Sequence, residues 1–287
     1  MQTTIGGPVR ISGIGLHTGC RVTVELQPAP VDSGIVFRRV DLQDFEIRAH
    51  RRHVSRVVLA TTLMKRGVML STVEHLLSAL YGLAIDNLYI DIDSLEVPIL
   101  DGSALPFVEM VREAGRVEQS AQRTFLKVEK EVQIEDGEKF IRIEPAFDFG
   151  VSYEIDFAHP AIGRQQIHLR VTPETYARRI AFARTFGFLS EVKKLRAGNL
   201  IRGGSLENSI VLNDTGIMND GLRAGDEFVR HKVLDLIGDV SLCGHPLIGH
   251  IKAYKAGHAL HTALATELVR SPALCTKISE LELATTA

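Results

Sequence analysis

The chain has little of what marks several protein classes. It holds only three cysteines, Cys20, Cys243 and Cys275, and none stands in Cys-x-x-Cys spacing. That argues against a disulfide framework and a thiolate zinc site, and it fits a reducing cytoplasm. The opening residues lack a basic region followed by an apolar core, so no signal peptide is expected. No apolar run approaches the roughly 20 residues a membrane-spanning helix needs, which leaves only peripheral membrane contact open. Charge of one sign is also missing: Lys and Arg number 33 against 35 Asp and Glu, for a net charge of −2. General nucleic-acid binding needs a basic face, and the one basic stretch, 48–56, reads as a solvated surface. What is there is 45% hydrophobic and 24% charged. Such a chain of 287 residues is globular and large enough for one big domain or two ordinary ones.

Residues 21–26, 34–39 and 45–48 alternate as strands do. A helical stripe of Val73, Leu76, Leu77 and Leu80 follows, with Ser71 or Thr72 as its N-cap and Gly82 near its end. Residues 87–93 alternate again, and 101–115 read as a second helix. The later part repeats that order: strands at 124–134, 138–144, 150–157 and 165–171, then a helix at 173–183. After an insert at 189–212 come a helix at about 226–243, a strand at 248–254 and a helix at 258–270. The pattern predicts an α+β fold of two similar domains, 1–118 and 124–270, with a loosely ordered tail at 271–287.

His231 and Asp235 stand at i and i+4, one helical turn apart on one face, among core-facing Val233, Leu234, Leu236 and Ile237. Buried polar groups need partners, and one divalent metal would satisfy both. Glu74-His75 supplies an adjacent acid and imidazole. Neighbours on a helix diverge by about 100°, so His75 can ligate while Glu74 reaches a metal-held water. Two His and one carboxylate, with an idle Glu beside them, form the donor inventory of a hydrolytic zinc site; non-haem iron accepts the same set. His258 follows a glycine-led loop, and Asp239, a further turn along from Asp235, is its candidate acid partner. Thr185, in a loop between aromatics, can donate to an oxyanion or cap a turn, and Lys232 can face a phosphate as a point charge.

Taken together, Ser-Thr-Val-Glu-His at 71–75, Asp-Gly-Ser-Ala at 101–104, Ala-Arg-Thr-Phe-Gly-Phe at 183–188, the run 226–235, Gly-Asp at 238–239, Gly-His at 244–245 and the run 254–260 form a specific set. The chain resembles the UDP-3-O-acyl-N-acetylglucosamine deacetylases, zinc hydrolases of lipid A synthesis in Gram-negative bacteria. The resemblance spans roughly 1–270. It implies two two-layer α+β sandwiches whose helices pack face to face between the sheets, plus a βαβ insert in the second. It implies one zinc per chain on His75, His231 and Asp235, with Fe2+ an alternative in vivo. Glu74 matches the general base, His258 the charged group at the oxyanion and leaving amine, Asp239 its orienting partner and Thr185 an oxyanion donor. Substrate contacts implied are Phe157 on the uracil and Lys232 near the pyrophosphate, with Asp156, Phe186, Phe188 and Gly204 alongside. Leu189, Val192, Leu206 and Val211 would line an apolar passage for the acyl chain. Arg196 and Asn208 stand where smaller or less polar groups are expected, and Thr62 where some members carry a metal-engaging Cys. A cytoplasmic monomer acting on a UDP-linked acylated amino sugar is the resulting expectation.

Three rivals remain on sequence grounds. A binding protein with a structural metal would have four closed ligands, and only three convincing ones are found. A zinc amidohydrolase of the same fold acting on another acylated sugar differs only in its substrate contacts. An RNA-binding α+β module lacks basic residues interleaved with aromatics.

Overall fold

The computed structural model describes residues 1–286 and is α+β. A five-stranded sheet takes the spatial order Val9–Ile14, Arg21–Pro28, Leu88–Ile92, Ile35–Arg39, Phe45–Arg48. Its pairs are antiparallel except Ile35–Arg39 with Leu88–Ile92, which run parallel. Alternation shows directly along Arg21–Pro28, where Val22, Val24 and Leu26 turn inward and are buried. The second, larger sheet has Leu247–Tyr254 at its centre. Phe149–Phe157 runs parallel to it on one side, and Lys139–Glu144 antiparallel on the other. Gly163–Arg170 and Val132–Asp136 extend the two flanks. Thr124–Val128 pairs with the start of the central strand.

The helices lie between the sheets. Helix α1 (Glu74–Gly82) packs beside α2 (Leu105–Ala114), which lies on the first sheet. Then α3 (Pro173–Arg179) packs beside α1, α4 (Leu189–Ala197) belongs to the insert, and α5 (Glu227–Val240) and α6 (His258–Arg270) cover the second sheet. Every residue of α1 but Tyr81 is buried, because α5 lies against the helix and α2 and α3 pack beside it. Burying each of Leu76, Leu77 and Leu80 there contributes about 1.5–3 kcal/mol. Gly238 sets the α1–α5 distance: a Cβ on it would fall 2.1 Å from the Glu74 carbonyl oxygen. The two helix backbones therefore touch where their polar side chains are placed.

Three local expectations give way to tertiary structure. Neither Ser71 nor Thr72 caps α1. Thr72 is left-handed (φ 58°), and its hydroxyl turns to the Glu96 carboxylate at 3.1 Å. Helix α3 ends at Arg179, four residues short of the expected 183. The expected loose tail contains a strand, Cys275–Ser279, paired antiparallel with Thr124–Val128. The insert is a βαβ unit as expected: Phe186–Phe188 and Ile210–Leu212 run parallel, with α4 crossing between them.

Candidate active site

His75 and Glu74 occupy the first turn of α1, while His231, Asp235 and Asp239 follow one another along the facing side of α5. The close approach at Gly238 brings them together. The ligand atoms of His75, His231 and Asp235 all lie within 4.8 Å of one another, and all three residues are buried. His75 Nε2 is 3.8 Å and His231 Nε2 3.3 Å from Asp235 Oδ1, with the two imidazole rings nearly perpendicular. His231 Nδ1 donates to the Ala183 carbonyl at 3.0 Å, which leaves Nε2 with its lone pair toward the cluster. Lys232 Nζ donates to Asp235 Oδ2 at 2.8 Å.

The ionisation states suit a cation. Burial depresses both imidazoles, His75 to about 3 with help from His231, so both are neutral and able to ligate. Burial works against the Asp235 charge, but His231 and Lys232 outweigh it and hold the carboxyl well below its ordinary range. Two neutral imidazoles and one carboxylate converging without a fourth protein donor fit one divalent ion with an open position.

A second group adjoins the first. Burial pushes the Glu74 carboxyl up to about 7, against the pull of His258. Glu74 Oε2 accepts from the Thr61 N–H at 3.1 Å, and Oε1 lies 3.9 Å from His258 Nε2. His258 Nδ1 donates to Asp239 Oδ2 at 2.7 Å. Burial alone would depress His258, yet Asp239, followed by Asp235, raises it to about 10, so the ring is charged at neutral pH. Asp239 itself is fully buried and held below its ordinary range, His258 overcoming the cost of burial.

The loop carrying Thr185 is tied down at both ends of that residue. Its N–H donates to the Gly102 carbonyl at 2.8 Å and its carbonyl accepts from Ile210 N–H at 2.8 Å. Gly102, at φ 82°, has no room for a Cβ beside Asn208, whose carbonyl oxygen would be 2.0 Å away. Arg184 clamps the same loop to the start of α5: its Nε donates to Glu227 Oε1 at 2.9 Å and its other arm to Oε2 at 3.1 Å. Glu227 is wholly buried, and those bonds hold its carboxyl low in spite of burial.

Aromatic rings lead away from the cluster. Phe186 lies 6.3 Å from the His231 ring and 5.7 Å from Phe157, which lies 6.1 Å from Phe188; Lys232 sits over Phe186 at 5.5 Å. Asp156 is not brought to this row. It alternates to the other face of its strand and pairs with Lys255 at 3.2 Å. In the insert, Val211 is buried, Leu189 and Val192 are half-buried and Leu206 is exposed. Helix α4 buries none of its residues. Asn208 turns back to brace its own loop, accepting from Ser205 N–H at 2.8 Å and donating to the Gly203 carbonyl at 2.9 Å. Arg196 likewise donates to the Gly204 carbonyl at 2.6 Å. Thr62 exchanges a 3.0 Å hydrogen bond with Ser71.

Reading the sequence missed Thr61, His261 and the Arg184–Glu227 pair. His261 stands at i+3 from His258, a spacing that could have flagged it. Thr61 sits in an apolar run with no local signal.

A family profile described as UDP-3-O-acyl N-acetylglycosamine deacetylase (LpxC) matches residues 2–270. A UDP-3-O-acyl-N-acetylglucosamine deacetylase of Solibacter usitatus is 48% identical over 274 residues, covering 95% of this chain and 92% of the relative. Relatives of the same name from Geobacter sp. (strain M21) and Citrifermentans bemidjiense are each 48% identical over 273 residues, covering 94% of this chain and 90% of theirs. With a match that runs through both sheets and every helix of the site just described, the chain belongs to the UDP-3-O-acyl N-acetylglycosamine deacetylase family.

Proposed function

We propose that this chain removes the N-acetyl group from UDP-3-O-(3-hydroxyacyl)-N-acetylglucosamine, releasing acetate and a free amine in lipid A synthesis. One observation carries the mechanism: Glu74 and His258 stand 3.9 Å apart beside the three converging donors, one raised to about 7 and the other to about 10. A base and an acid thus share one small space in opposite protonation states.

His75, His231 and Asp235 would hold a divalent cation, zinc in this reading, which when bound would supply Lewis acidity and lower the pKa of a water from about 15.7 to near 7. Glu74 accepts the proton of the water that adds to the acetamide carbon. The charge on the carbonyl oxygen meets protonated His258 and the Thr185 hydroxyl, and Asp239 keeps the His258 ring turned toward it. The C–N bond then breaks, the amine takes a proton, and acetate leaves. Phe157 stacks the uracil, with Phe186 and Phe188 beside it, and Lys232 exchanges its bond to Asp235 for the pyrophosphate. Gly204, Leu189, Val192, Leu206 and Val211 receive the acyl chain; half-buried and exposed apolar groups there support an open, not enclosed, passage. Asp156 has the weakest support of the contacts, being paired on the other face.

The reading includes two domains, 1–118 and 124–270, supported by α2 packing on the first sheet and α5 and α6 on the second. It includes a cytoplasmic location, supported by three unpaired cysteines, one of them exposed. Among the described residues no helix is long and apolar enough to cross a membrane.

The test is acetate release from the acylated UDP-N-acetylglucosamine by protein stripped of metal and titrated with zinc. Activity lost on stripping and regained near one equivalent is expected. Stoichiometric metal binding with no acetate would overturn the substrate assignment.

A further inference from the structure

Asp239 is a shared acceptor. Its Oδ2 takes His258 Nδ1 at 2.7 Å and also His261 Nδ1 at 2.9 Å, while Oδ1 takes the Thr61 hydroxyl at 2.6 Å. Both imidazoles come from α6, one turn apart, and Asp239 from α5. His261 has no exposed surface, and behind it Nε2 lies 2.9 Å from the Tyr153 hydroxyl. That hydroxyl also lies 2.8 Å from the Ala256 carbonyl. The line Tyr153, His261, Asp239, His258, Glu74 therefore runs from the second sheet to the first turn of α1.

We propose that His261 is a positioning residue for His258: its Nδ1–H holds the Asp239 carboxylate in place and draws off part of the charge on the oxygen the two rings share. This rests on the assignment of His258 as the acid of the reaction. Nδ1 carries a proton, because it faces a carboxylate there, while the one phenol proton of Tyr153 goes to the Ala256 carbonyl, which can only accept. Burial pushes His261 below the ordinary imidazole range. The titratable groups facing the pair are Glu74 and His75 from α1, His231, Asp235 and Asp239 from α5, and Tyr153 from Phe149–Phe157. Of these, Asp239 alone contacts both rings.

The consequence has a sign. Two donors on one oxygen divide its charge, so removing the His261 donor strengthens the hold on His258 and makes it a weaker acid. It also frees the carboxylate to turn. An orienting partner of this kind is worth about 10- to 100-fold in rate. His261→Asn is the conservative variant, since its amide N–H can stand where Nδ1–H stands.

The experiment follows the His258 ring by NMR across pH in the zinc-loaded protein, assigned with His258→Gln, alongside kcat and KM. Expected for His261→Leu is a kcat lowered about 10- to 100-fold at unchanged KM, with His258 titrating at higher pH. His261→Asn should restore both. Tyr153→Phe, which removes the hydroxyl oxygen beside Nε2 and loosens the His261 ring, should move the His258 titration the same way by less, and decides the matter if the Leu variant does not fold. A fall in kcat with an unmoved titration and no rescue by Asn makes His261 a filler of space and overturns the proposal. With His261→Leu unfolded, an unmoved titration in Tyr153→Phe does so too. The titration is read without substrate, so a wild type that releases no acetate would refute the proposed function separately.

Discussion

Gly238→Ala should disable the site without touching a functional side chain. Ala in place of Gly within a helix ordinarily stabilises by about 1 kcal/mol. Here the new Cβ would fall 2.1 Å from the Glu74 carbonyl oxygen, where ordinary contact begins at 3.4 Å. The helices must therefore separate by the difference, about 1.3 Å, at the turn that carries Glu74 and His75. Both contacting atoms belong to backbone or Cβ, so no side-chain rotation relieves the clash. Overpacking of that kind costs about 1–3 kcal/mol, which cancels the helix gain or exceeds it. The larger effect is on function. His75 retreats from His231 and Asp235, and Glu74 from the water it must deprotonate; a misplacement of about 1 Å costs on the order of 100-fold. The assay pairs zinc titration with acetate release and a thermal melt. A folded variant with weakened zinc binding and activity down about 100-fold is expected. Wild-type zinc affinity and turnover would refute the claim that this contact sets the site.

The other predictions concern single groups. His258→Ala should lower kcat by about 10²–10³, and Glu74→Ala by more, in the same acetate assay; a Glu74→Ala enzyme that keeps its activity would remove Glu74 as the base. The pH profile of kcat/KM should be a bell: activity falls on the acid side as Glu74, raised to about 7, is protonated, and on the alkaline side as His258, raised to about 10, loses its proton. A bound cation beside Glu74 favours its carboxylate, so the acid limb should lie below 7 in the zinc enzyme, and a limb above 7 contradicts this. Glu227→Ala strands the Arg184 guanidinium against a buried site and should destabilise by about 3–5 kcal/mol in urea unfolding. Denaturation unchanged by that substitution would mean that water reaches the pair.

The parts of this molecule legible in its sequence are those set by local periodicity. His231 and Asp235 share a face because a helix has 3.6 residues per turn, and Val22, Val24 and Leu26 share one because a strand has two. What failed was decided at a distance. Thr72 looks like a helix cap, but Glu96 takes its hydroxyl and leaves it left-handed. Residues 275–279 show too little apolar alternation to announce a strand, and their partner lies about 150 residues earlier in the chain. Asp156 and Phe157 are neighbours on a strand and so face opposite ways, and Asp156 pairs with Lys255. Arg184 and Glu227 form their clamp 43 residues apart, beyond any pattern in a local window.

The seam between α1 and α5 has a mechanical meaning as well. His75 belongs to α1, His231 and Asp235 to α5, so a single ion held by the three would rivet the two helices together. An ion held at 100 times its dissociation constant adds about 2.7 kcal/mol against any opening that parts the helices. Starved of metal, the α1–α5 contact would keep its packing but lose that contribution. Catalytic competence and that part of the grip between the helices would then be lost in the same event.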